Sequence, residues 1–348
     1  MNAVDWLLDS DPAIRWLALR DLTPSACGAD ALPAAIAAER ARVVREGLGA
    51  EILGRQGADG SWRREDAPVW LSTLFTLLLL RATGVDRSEP IVESAVARLE
   101  ASLRWNDNGC WDLRSAELGG NPFFEGEVEP CINGGVLALG AYFGRPTARL
   151  ARRLVGEQLE DGGWNCEAPK SARSSFHTTI CVLEGLLEYE RSVESLPEDE
   201  SLLPSIRAAR RRGEEYLLER GLFRRLSTGE VANPEFLELA FPPRYHYDIL
   251  RALDYCRNAD VQNGVGPDTR MGDAVHIVES KRQADGRWLL DRAYDEALAL
   301  QVGEAVSEPS RWNTLRALRV LRWWERGGAM DLKPGKQFHG IGGGRLGG

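Results

Sequence analysis

Three times this chain spells a glutamine, a tight turn and a tryptophan in the same order: Gln56-Gly-Ala-Asp-Gly-Ser-Trp62, Gln158-Leu-Glu-Asp-Gly-Gly-Trp164 and Gln283-Ala-Asp-Gly-Arg-Trp288. A fourth, partial copy reads Asn106-Asp-Asn-Gly-Cys-Trp111. Asp-Gly supplies a turn with a positive φ, and an indole placed after it covers the helix end that the turn leaves behind. Tryptophans 62, 111, 164 and 288 are separated by 49, 53 and 124 residues, so the last gap holds two units, one of them worn down to Gly221-Leu-Phe223. A period of about fifty residues marks an array of helical hairpins, in which each unit buries its apolar face only against its neighbours.

The stretches between cartridges carry helical periodicity. Pro12 to Leu22 starts with Asp11 as N-cap and Pro12 at the first helical position. Six apolar helices are expected there and near 70, 130, 175, 245 and 310, the last running over 310–326. Five more charged ones are expected over 31–55, 88–104, 147–159, 203–220 and 269–283. A helix that is hydrophobic around most of its circumference must be surrounded by protein, so the apolar set belongs inside and the charged set outside. The expected fold is all-α, an (α/α)6 toroid formed as a closed double ring over residues 1–327. A flexible Gly-rich tail is expected over 328–348.

With 348 residues and 43% hydrophobic content, the chain can bury such a core. A formal charge of -9 excludes a general nucleic-acid footprint. No apolar run approaches the roughly 18 residues of a membrane span, and the acidic N-terminal stretch lacks a signal peptide's pattern, so a cytoplasmic location is expected. The six cysteines lack paired short spacings, which favours free thiols or ligands over a disulfide framework.

The glutamine–tryptophan cartridges resemble those of squalene and oxidosqualene cyclases, and the repeat as a whole resembles the α/α toroid shared with protein prenyltransferase β subunits. That resemblance covers nearly the whole chain and implies an apolar, isoprenoid-like substrate in a central cavity. The Asp-x-Asp-Asp run with which class II terpene cyclases protonate substrate is missing, Asp9-Ser-Asp11-Pro being the nearest shape, and so is a class I Asp-Asp-x-x-Asp. The prenyltransferase likeness reaches particular residues. Those β subunits hold zinc through an Asp-x-Cys pair at one inner helix start and a His at the next, which implies Glu129, Cys131 and His177 as zinc ligands here. Glu replaces Asp, and Asn133-Gly134-Gly135 replaces the usual bulky aromatics. Counted back from Val136-Leu137 and Val182-Leu183, Cys131 and His177 occupy equivalent repeat positions and face one rim. The plain alternative is that Glu129 caps a helix while Cys131 and His177 are packed core residues.

Other groups share the expected rim. Cys181 follows His177 by one helical turn. His246 and Asp248, in Arg244-Tyr-His-Tyr-Asp248, suit a metal shell or metal-free acid–base chemistry. Arg311 suits a diphosphate or carboxylate, and Trp312 a cation or alkene. A different class of function on the same scaffold is a non-catalytic toroid that binds a ligand or a partner protein. Residues 287–308 are long enough to fold over the cavity mouth.

Overall fold

Each cartridge anchors the end of one helix to the start of another. In the computed structural model, which describes residues 2–23, 31–106, 112–193, 197–264, 266–294 and 297–331, the indole N–H always donates to the carbonyl ten residues back. Trp62 bonds Ile52 O (2.7 Å), Trp164 bonds Leu154 O (2.6 Å) and Trp288 bonds Val278 O (2.6 Å). Those carbonyls lie in the last turns of helices, where the N–H groups four residues on run out; Ile52 O and Val278 O also accept the N–H three residues on, from Arg55 and Lys281. The main-chain N–H of each tryptophan then donates to a threonine of the following helix: Thr73 (3.2 Å), Thr179 (3.1 Å) and Thr314 (3.0 Å). Gln56 joins two helices by donating to Gly60 O and Ala95 O, and Gln158 does so through Gly162 O and Ala209 O. Gln283 turns back to Lys281 O instead. The partial copy around Trp111 lies outside the described residues.

Among the described residues thirteen α-helices follow in order: α1 (Ala3–Leu8), α2 (Pro12–Leu22), α3 (Ala31–Arg42), α4 (Gly47–Gly54), α5 (Val69–Ala82), α6 (Pro90–Ser102), α7 (Pro130–Tyr142), α8 (Ala148–Gly156), α9 (Phe176–Val193), α10 (Leu203–Leu218), α11 (Ile249–Asn263), α12 (Gly272–Ser280) and α13 (Arg311–Asp331). The expectation of helices alone is met in the main, with small exceptions. Strands β1 (Leu103–Trp105), β2 (Leu113–Ser115) and β3 (Asn121–Pro122) pair in the order β2-β1-β3, and β4 (Trp288–Leu289) pairs with β5 (Pro309–Ser310). The single helix expected over 31–55 is broken into α3 and α4. Gly47 takes a φ of 66°, and Leu48 N–H donates to Asp11 Oδ2 at 2.7 Å, so the N-cap of α2 also holds the next element. The last helix runs to Asp331, past the expected start of the tail, and residues 332–348 lie outside the described set.

The apolar helices α2, α5, α7, α9, α11 and α13 run side by side, and cross-contacts join residues at matching depths. Arg322 of α13 donates to Leu22 O at the end of α2. Arg319 of α13 bonds Asp254 of α11, and Arg251 of α11 bonds Glu184 of α9 at 2.7 Å. On α9 and α7, Gly134 and Gly185 lie backbone against backbone: a Cβ on Gly134 would overlap Cys181 O, and one on Gly185 would overlap Gly134 O. Leu78 of α5 sits over Gly135 of α7, and Trp16 of α2 donates to Thr83 O just beyond α5 at 2.8 Å. Replacing Gly134 with alanine should push α7 and α9 apart and cost about 1–3 kcal/mol by urea denaturation. A loss within experimental error would show that this close approach does not matter.

Candidate functional site

All six of these helices wall one cavity of about 560 Å³. Its sides are apolar, with Leu74, Phe75 and Leu78 from α5, Ile132 from α7, Leu187 from α9 and Leu315 from α13. Polar groups gather at two ends. Glu129, Cys131, Cys166 and His177 mark the end at the first turns of α7 and α9, while Arg81, Glu188, Arg191, Asp254 and Arg319 mark the other.

Pro130 opens α7 at a position that needs no N–H, which sets Cys131 in the first turn facing the cavity. Cys166 comes from irregular chain two residues past Trp164. The Trp164–Thr179 clamp fixes the start of that loop, and Asn165 closes it by donating to Arg173 O at 2.6 Å. The carboxylate of Glu129 and the sulfurs of Cys131 and Cys166 all lie within 4.8 Å of one another. Cys131 Sγ is 3.5 Å from Glu129 Oε2, and Cys166 Sγ is 3.4 Å from Thr178 Oγ1. A hydrogen bond between the two thiols raises the pKa of Cys131, with burial adding to it. The same bond lowers that of Cys166. Glu129 stands at the N-cap of α7, yet its side chain makes no capping bond, so the plain capping role is not what holds it there. Behind it, Glu127 accepts the Glu129 N–H at 2.5 Å, and burial pushes its carboxyl up to about 7.

His177 reaches the same cavity but stands outside this group of three. Its Nδ1 accepts the Tyr247 N–H at 2.9 Å, which ties the ring to the chain entering α11. Burial lowers its pKa, and the nearby Arg251 charge lowers it further. The partner brought to Glu129 and Cys131 is therefore Cys166, a residue that helical periodicity does not single out.

No family model and no curated protein matches the chain by sequence. Solved structures do show distant likeness. A protein from Actinoplanes is 15% identical, covers 93% of this chain over 97% of its own, and superposes with a TM-score of 0.42. The type II terpene cyclase MstE from Scytonema, in its apo form, is 12% identical, covers 84% of this chain over 99% of its own, and gives a TM-score of 0.28.

The remaining expected site residues divide. Trp312 lines the cavity, stacked on Phe241 with ring centroids 4.3 Å apart. Arg311 points elsewhere, donating to Trp6 O and Asp9 O of the N-terminal segment. Asp248 is the N-cap of α11, its Oδ1 accepting Arg251 N–H at 2.8 Å, and His246 is stacked on Tyr294 at 3.8 Å. Neither is among the described residues lining the cavity. Cys181 does line it, buried beside Arg251. Residues 287–308 do not line the cavity where described. Ala299 N–H donates to Thr76 of α5, and Asp291 pairs with the main chain of Leu239, so the segment straps distant elements together.

Proposed function

We propose that this protein is an (α/α)6 toroid, an enzyme of terpene cyclase- or prenyltransferase-like type, whose cavity holds an apolar, isoprenoid-like molecule against the Glu129–Cys131–Cys166 rim. The observation that carries this reading is the cavity itself. Six helices wall it, its sides are apolar, and Glu129, Cys131 and Cys166 stand together at one end. Such walls bind by removing apolar surface from water, at roughly 25 cal/mol per Å².

The donor set at the rim suits zinc. Two sulfurs and one carboxylate oxygen are ligand types of a catalytic site with an open fourth position, and a separation within 4.8 Å needs only a small closure to reach tetrahedral spacing. When bound there, zinc would act as a Lewis acid or activate a thiol or water. The chain's own residues do the rest. Glu127 holds the main chain of Glu129, Thr178 contacts Cys166, and Trp312 presents a π surface to alkene or developing cation. A metal-free acid–base mechanism through Asp248 or His246 has less support, since both are engaged away from the cavity.

Binding of farnesol, followed by fluorescence or calorimetry, tests the reading. Gly135 faces the cavity, and a Cβ there would meet Leu78 at an ordinary 3.5 Å, so Gly135→Leu should fold normally while filling part of the space. Wild-type protein should bind farnesol, and the variant should bind it about tenfold more weakly or worse. No binding by the wild type, or equal binding by the variant, overturns the proposal.

A further inference from the structure

His177 lines the cavity at the thiol end without joining Glu129, Cys131 and Cys166. One hydrogen bond fixes where its proton sits. Nδ1 accepts the Tyr247 N–H at 2.9 Å, and an imidazole nitrogen that accepts a hydrogen bond carries no proton of its own. The neutral ring therefore carries its proton on Nε2. A charged ring would set one N–H against another at Tyr247, and burial, followed by the Arg251 charge, lowers the pKa in the same direction. A metal on Nε2 would force the proton onto Nδ1, again facing the Tyr247 N–H, whereas a ligating histidine needs an acceptor at its second nitrogen. The ring is thus a poor ligand and a ready donor.

The surroundings hold that donor still. His177 packs edge to face with Phe236, ring centroids 5.4 Å apart, and with His246 at 5.9 Å. Tyr247, which supplies the N–H, is itself anchored through its hydroxyl to Leu222 O at 2.5 Å. Among the described residues no group bonds Nε2, and the atom is not sealed from solvent. We propose that His177 is a fixed hydrogen-bond donor whose Nε2–H, open to the cavity, recognises an acceptor oxygen carried by the bound apolar molecule. An ether, hydroxyl or carbonyl oxygen meets the requirement. This rests on the reading of the cavity as an apolar-chain site and names the polar group its occupant brings to the thiol end. Ring and tautomer are set before the ligand arrives, so little ordering entropy is lost in forming the bond.

The test uses His177→Asn, in which the amide oxygen stands near the place of Nδ1 and keeps the tie to Tyr247, while the donor at Nε2 is gone. Wild type and variant are titrated as whole proteins at pH 8 with farnesyl methyl ether, whose oxygen only accepts, and with farnesene, which has no oxygen. Binding is followed through the fluorescence of Trp70 and Trp312, which line the cavity, and thermal melts confirm folding. The variant should bind the ether about fivefold more weakly than the wild type and farnesene equally well. Nuclear magnetic resonance of the wild type, with only four histidines to assign, should show the His177 proton on Nε2, and that nitrogen's signal should move when the ether is added. A proton on Nδ1, an ether affinity unchanged in the variant, or equal weakening of ether and farnesene overturns the proposal while leaving the apolar-cavity reading intact. Failure of both ligands to bind the wild type strikes that earlier reading instead.

Discussion

Replacing Asp254 with asparagine should cost about 3–5 kcal/mol of stability, because it strips one buried carboxylate from among three arginines. Arg319 bonds it through Nε at 2.7 Å, Arg257 Nε is 3.1 Å away and Arg316 Nε 3.9 Å away. The aspartate is 7% exposed, so water does not replace what is removed. Burial alone would raise its pKa, but the guanidiniums of Arg319, Arg257 and Arg316 outweigh that and hold it well below the usual carboxylate range. A depressed folded-state pKa contributes stability that is present above the unfolded value, about 4, and is lost as pH falls. Urea denaturation should therefore show a constant gap between wild type and Asp254→Asn from pH 8 to about pH 5, narrowing below about pH 4. A gap under about 1 kcal/mol at pH 7 would mean that the arginines find other counter-charges when Asp254 is gone.

A loss of similar size, about 3–5 kcal/mol, is expected for Trp164→Ala. The indole is fully buried, donates to Leu154 O, and fills room that Gly213 of α10 leaves open, since a Cβ at Gly213 would crowd the ring. Trp164→Phe keeps most of the volume and should cost about 1–3 kcal/mol, the share of the stranded Leu154 carbonyl. Because Cys166 follows two residues later, Trp164→Ala should also disturb the thiol pair, seen as faster reaction of Cys166 with a thiol reagent. Equal stability of the alanine and phenylalanine variants would contradict the role of ring volume.

The cartridges were legible because their chemistry is local. Gln, Asp-Gly and Trp act within ten residues of one another, and the same hydrogen bonds recur at Trp62, Trp164 and Trp288. Helix α2 begins and ends where its apolar pattern and N-cap place it. The break between α3 and α4 was not legible, because it depends on Asp11, a residue far along the chain, accepting the Leu48 N–H. Cys131 and His177 came from the resemblance to prenyltransferase β subunits, and repeat equivalence added their depth and face but not their partners. Cys166 lies in a loop with no repeat position, so only the folded chain brings it to Glu129 and Cys131. Asp248 could have been read correctly from its place just before a helix, where a carboxylate most often caps the backbone. The arginine end escaped notice because its members are spread over α5, α9, α11 and α13, each looking like an outward charge on its own helix.

Zinc content bears most directly on the central claim, that Glu129, Cys131 and Cys166 form the reactive rim of the cavity. Protein produced without a histidine tag and dialysed against buffer, measured by inductively coupled plasma mass spectrometry, should carry about one zinc per chain. His177→Ala should retain it, while Cys131→Ala and Cys166→Ala should lose it with folding unchanged. Zinc-free wild-type protein that takes up none when titrated, or zinc that is lost with His177 and kept without Cys166, would contradict the account.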